Sequence, residues 1–84
     1  GLVNEVTAAD GLMGAAGALA SKLAGFSAAT LRLAEETVRR GAEMAFDDAL
    51  AFEAGQFGVA AATEDAKEGM AAFVEKRKPA FRGA

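Results

Sequence analysis

One cluster in this chain has the residue types for ligand chemistry: Lys76, Arg77, Lys78 and Arg82 crowd into seven positions, flanked by Phe73 and Phe81. Aromatic rings beside cations suit a nucleotide. A ring such as Phe73 can flank an adenine, while Lys76, about one helical turn further on, reaches a phosphate. A plainer reading stays open on spacing alone, in which the same cations complement a helix end and cover a partner's surface with their aliphatic stems. The acidic groups offer less. Glu64, Asp65 and Glu68 resemble an acid/base cluster on paper, but no His partners them and nothing in the sequence shifts their pKa toward neutrality, so they read as a solvated first helical turn. Asp47, Asp48 and Glu53 read the same way. The glycines sit at helical spacing and lack the strand-turn-helix setting of a phosphate loop.

Composition narrows the function further. The 84 residues contain neither Cys nor His, which removes thiolate nucleophiles, disulfides and the usual zinc ligands. No catalytic residue and no metal ligand is assigned. The absent cysteines are compatible with a reducing compartment, and a cytoplasmic location is expected. A net charge of −3 argues against nucleic acid as a partner, since such binding needs a basic footprint. The longest uncharged run, Gly11 to Ser21, falls far short of the roughly 20 residues that span a bilayer, so no membrane segment is expected. The first residue is Gly rather than Met, which reads as a cut or engineered start. A domain of this length buries only about 60% of its unfolded surface, so its stability alone is marginal.

The elements that must position the basic cluster are helices. Apolar residues recur with a 3.6-residue period from Asp10 onward, which predicts an all-α chain of about four helices. The first is expected from Ala9 or Asp10 to Ala24, with Leu12, Ala15, Ala16, Leu19, Ala20 and Leu23 on one face and Gly25 as its stop. Its glycines, Gly11, Gly14 and Gly17, reflect either a solvent face or close approach of another backbone. Ser27 caps a second helix through Arg40, ended by Gly41, with Leu31, Ala34 and Val38 lining one side; Glu35 and Glu36 stand four residues before Arg39 and Arg40, the order that favours surface ion pairs. A third helix, Phe46 to Ala61, is expected to bury Phe46, Leu50, Ala54 and Phe57. Thr63 caps the last, with Glu64 and Asp65 at its start, Lys76, Arg77 and Lys78 at its end, and Ala66, Met70, Phe73, Val74 and Arg77 on one side, away from Lys67, Glu68 and Glu75. Beyond Pro79 the tail leaves the helix, carrying Phe81 toward a pocket. Residues 1–8, with Leu2, Val3 and Val6, form a β-prone stub too short to pair without another segment.

The run Thr63-Glu-Asp-Ala-Lys-Glu-Gly-Met-Ala-Ala-Phe-Val-Glu-Lys-Arg-Lys-Pro-Ala-Phe81 resembles the C-terminal signature of enoyl-CoA hydratases of the crotonase superfamily. Gly1-Leu-Val-Asn-Glu-Val6 resembles the segment that leaves that family's core, and Ala28 to Gly41 one of its helices; Ala45 departs from the Ser or Thr that often caps the third helix. The resemblance implies that residues 1–8 are the connection from a missing core and residues 9–84 a helical trimerisation region, oligomeric or swapped. It implies that the catalytic glutamates and oxyanion hole lie outside this chain. Phe73 and Lys76 match the aromatic and lysine that one subunit contributes to the adenine end of CoA held by its neighbour. The parent reaction is then hydration of a 2-enoyl-CoA in fatty-acid β-oxidation, or a related isomerisation, with the CoA thioester as substrate and no tightly bound cofactor. Acyl-CoA would be bound only together with the missing core. The rival expectation is a free-standing helical interaction module.

Overall fold

The computed structural model describes all 84 residues and contains four helices and no strand: α1 Leu12–Ala24, α2 Ala28–Gly41, α3 Phe46–Ala61 and α4 Glu64–Val74. The all-α expectation holds. The expected caps operate at two helix starts, where the Thr30 N–H donates to Ser27 Oγ at 3.3 Å and the Ala66 N–H donates to Thr63 Oγ1 at 3.1 Å. The Thr63 hydroxyl also donates to the Ala60 carbonyl at 2.7 Å, tying the end of α3 to the start of α4. Ala45 and Gly11 provide no side-chain cap. At α1 the start lies at Leu12 instead of the expected Ala9 or Asp10: residues 9–11 close a turn through the Gly11 N–H to the Ala8 carbonyl, and the Gly11 carbonyl accepts the Ala15 N–H. Gly25 ends α1 with i to i+3 bonds in ordinary right-handed geometry, while Gly41 lies inside α2 rather than beyond it.

Packing is confined mainly to α2 against α3, joined by residues 42–45. The shared face consists of Leu33, Thr37 and Gly41 on α2 and Ala49, Phe52, Gln56 and Ala60 on α3, all partly covered. This corrects the expected faces. Phe46 and Phe57 of the anticipated α3 stripe remain 76% and 75% exposed, Leu50 and Ala54 are exposed as well, and Leu31, Ala34 and Val38 of α2 also point outward. Gly41 lets the two backbones approach at one end of the contact, where a Cβ built on it would lie 3.8 Å from the Ala49 Cβ. Arg40 closes the contact by lying over the Phe52 ring, 4.8 Å from its centroid, while pairing with Glu36 at 2.9 Å. Glu35 and Arg39 form no such pair.

α1 packs on no other helix to a comparable extent. It bends away from α2 by 105°, and no single helix is long and apolar enough to cross a membrane. Ala72 is the one apolar residue that is fully buried. The accessible surface of 6740 Å² exceeds the about 4700 Å² of a compact monomer of this mass by about 2000 Å². The radius of gyration, 16.2 Å, is likewise well above the about 12 Å of a closed domain this long. Residues 1–8 form no strand; Asn4, Glu5 and Thr7 lie beside Leu12 and Ala15 of α1, the Ala8 carbonyl accepts the Gly11 N–H, and Leu2 and Val6 are open to solvent.

α4 stops at Val74, short of the basic residues expected to lie in its last turn. Lys76 takes a left-handed conformation, φ 53°, its N–H donating to the Phe73 carbonyl at 3.2 Å while the Arg77 N–H donates to the Ala72 carbonyl at 3.0 Å. These two bonds form a Schellman turn, in which a side chain replaces the glycine that costs least. Lys76→Gly is therefore expected to raise chain stability by about 1 kcal/mol, read as a higher midpoint in urea. Nothing lies within 4 Å of a Cβ built on Gly17, so Gly17→Ala should add about 1 kcal/mol through helix propensity, measured in the same way.

Candidate functional site

The C-terminal tail, having left α4 at the Lys76 turn, folds back along it and is held by two carboxylates. Asp65 is only 2% exposed; its oxygens accept the N–H groups of Arg82 at 2.7 Å and Gly83 at 2.8 Å, and its own N–H donates to the Ala84 carbonyl at 2.8 Å. Glu68, one turn further along α4, accepts the Ala80 N–H at 2.8 Å and both terminal nitrogens of Arg77, at 2.6 and 2.9 Å. Arg77 also reaches Glu75 through Nε. The expectation of a solvated first turn is therefore wrong for Asp65 and Glu68, because a returning tail supplies the donors that solvent would otherwise provide. Glu64, paired only with Lys67, keeps the exposed role.

These bonds set the electrostatics. The Ser27 hydroxyl, then the Arg82 N–H, hold the Asp65 carboxyl below its usual value, against the opposing effect of burial. Arg77, followed by the Ala80 N–H, pulls Glu68 down from 4.5 to about 2, and Glu68 and Glu75 raise Arg77 in turn. Both acids are thus fixed as acceptors. Neither is tuned for proton transfer near neutrality. Ser27, itself buried, caps α2 and stands near enough to Asp65 on α4 to influence its carboxyl. Gly83, at φ 80°, takes the left-handed step that brings the tail against Ala28.

The folded tail completes one wall of an apolar groove of about 620 Å³ between the start of α2 and α4. Phe81 lies over Gly69, and Phe26, Leu31, Met70 and Phe73 line the remainder. The expectation that Phe81 finds a pocket is met by this wall. Phe73 stands at the groove with 85% of its surface free, as a ring awaiting a planar or apolar partner would. Lys76 lies outside the groove on the exposed turn beyond α4. Of the four cations in the cluster, Arg77 is consumed by Glu68 and Glu75, whereas Lys76, Lys78 and Arg82 form no ion pair. Sequence reasoning missed Asp65, Ser27, Phe26 and the Glu68–Arg77 pair. Only the unusual density of acids and bases around one short helix hinted at the last of these.

The geometry provides a hydrophobic groove with unpaired cations nearby. Comparison with known proteins finds likeness over the full length. The family model described as enoyl-CoA hydratase/isomerase matches residues 1–84. A Mycobacterium tuberculosis protein named as a probable enoyl-CoA hydratase is 46% identical over 81 residues, covering 96% of this chain and 32% of that protein. The 2,3-dehydroadipyl-CoA hydratase of Escherichia coli is 42% identical over 83 residues, 99% of this chain and 32% of its own length. Among solved structures, an enoyl-CoA hydratase of Geobacillus kaustophilus superimposes with a TM-score of 0.92 at 41% identity, over 99% of this chain and 32% of that one. The chain thus spans about a third of the length of the relatives it matches, and it belongs to the enoyl-CoA hydratase/isomerase family.

Proposed function

We propose that these 84 residues are the C-terminal helical segment of an enoyl-CoA hydratase, without chemistry of their own, and that they serve subunit assembly and the docking of CoA. The observation that carries the assembly role is the surplus of about 2000 Å² of accessible surface, much of it on apolar side chains such as Met13, Phe46, Phe57 and Val74. That surplus is on the scale at which obligate subunit interfaces begin. The core from which residues 1–8 emerge and neighbouring copies, in a trimer-type arrangement, are the surfaces proposed to cover it. The parent adds water reversibly across the double bond of a 2-enoyl-CoA, in fatty-acid β-oxidation in the cytoplasm, and needs no tightly bound cofactor. Hydratase names among the relatives favour this over isomerisation.

In the docking role, Phe73 flanks the adenine and Lys76 meets a phosphate of CoA bound by a neighbouring subunit. The free ring at the groove and the unpaired ammonium on the adjacent turn support that assignment. Acyl-CoA binding then requires the core, because this chain encloses neither ligand end.

Sedimentation of the chain at micromolar concentration should give a self-associated species; a single 8.5 kDa monomer would refute the assembly role. No hydration of crotonyl-CoA should be detectable with the chain alone, and measurable turnover would overturn its assignment as inactive. In the full-length hydratase, Phe73→Ala should raise KM for enoyl-CoA by about tenfold with kcat little changed, whereas an unchanged KM would exclude Phe73 from docking. The tail that walls the groove should resist mild acid. The folded Glu68 pKa of about 2 lies below its ordinary 4.5, so its contribution is complete above pH 4.5 and disappears as the pH falls toward 2. The Ala80 amide shift, which reports this carboxylate, should titrate near pH 2, and a midpoint above pH 4 would contradict the bonding described.

A further inference from the structure

Lys76 occupies a conformation that is costly for any residue with a side chain, and its own side chain makes no ion pair to offset that cost. Strained residues persist where their surroundings over-determine them. Two backbone bonds close the turn itself, from the Lys76 and Arg77 N–H groups to the Phe73 and Ala72 carbonyls, and the segment that follows it is held chiefly by one carboxylate. Glu68 grips the next residue, Arg77, with both oxygens at 2.6 and 2.9 Å, and also accepts the Ala80 N–H at 2.8 Å. The backbone from Arg77 to Ala80 is thereby fixed to α4 eight residues before the strained position. With only about a quarter of its side chain exposed, Glu68 is better placed to hold this arm than to meet a ligand. Glu75 adds a single contact, to Arg77 Nε, from the helix end itself.

We propose that Glu68 is a positioning residue for Lys76: by clamping Arg77 and Ala80 it keeps the left-handed turn that presents the Lys76 ammonium to the phosphates of CoA, and so sets affinity without touching the ligand. The proposal rests on the docking role of Lys76 and extends it to a residue one element removed. Losing the clamp frees Arg77 and lets residue 76 return to right-handed geometry, which redirects its side chain. Glu68 therefore acts on ground-state binding and not on the reacting atoms.

The test is a double-mutant cycle in the full-length hydratase, with crotonyl-CoA as substrate and assembly checked by sedimentation. Lys76→Ala is expected to raise KM about tenfold, and Glu68→Gln to raise it by a similar factor with kcat unchanged. The double variant should be no worse than Lys76→Ala alone. If Glu68→Gln leaves KM at the parent value while Lys76→Ala raises it, the positioning role is overturned and the docking role survives. Additive effects in the double variant also overturn it, since Glu68 would then act independently of Lys76. An unchanged KM for Lys76→Ala removes the docking role and this proposal together. Should Glu68→Gln fail to assemble, Arg77→Lys, which keeps the charge but loses the planar fork, takes its place with the same expected and overturning results.

Discussion

Four helices that fully bury one apolar residue among them leave most of their large apolar side chains open to solvent, and that exposure is the constraint on everything else in the chain. Conformational entropy opposes folding by about 1–2 kcal/mol for each residue's backbone, and apolar burial returns only about 25 cal/mol per Å². A chain that leaves Leu2, Met13, Phe46 and Phe57 in water recovers little of the second term. This exposure goes with the flat 43 × 39 × 18 Å outline and with a first helix that stands apart from the others. Each is tolerable in a segment whose faces are completed by other surfaces.

The C-terminal third follows a different physical logic. Around α4, directional bonds replace apolar burial: buried Asp65 gathers two backbone N–H groups, and Glu68 gathers Arg77 and the Ala80 N–H. Bonds to charged acceptors are stronger than neutral ones and leave little choice of geometry, so the tail returns along α4 in one register. Phe81 then forms a wall of the groove instead of trailing in solvent. The left-handed turn at Lys76 is the pivot of this return. Its neighbours Phe73 and Arg77 show how one short turn divides its side chains between the groove and the structural clamp.

This division clarifies how a segment without catalytic groups contributes to an enzyme family. The family relationship covers every residue of the chain, yet the relatives are about three times as long. On the reading proposed above, such a third would govern affinity through the placement of a ring and an ammonium, with bond-making left to other parts of the polypeptide. Assembly and docking are then one mechanical problem, since a ring offered to a neighbour's ligand is useful only when the neighbour is held in place.

Much of the helical framework was legible in the residues. Ser27 and Thr63 announce helix starts because a hydroxyl at that position satisfies an otherwise unpaired N–H, and the start and end of α3 and the end of α1 fell where periodicity placed them. The tail run from Thr63 to Phe81 carried the family likeness. Tertiary structure alone decided which faces are covered and what the acids near α4 do. Local periodicity identifies an apolar stripe, but whether the Phe46–Phe57 face or the Ala49–Ala60 face of α3 meets α2 is set by how the two helices dock, which involves residues far apart in sequence. Asp65 and its tail partners are 17 and 18 residues apart, a separation invisible to any helical spacing rule, so the change from solvated acid to buried acceptor arises only when the chain folds back on itself.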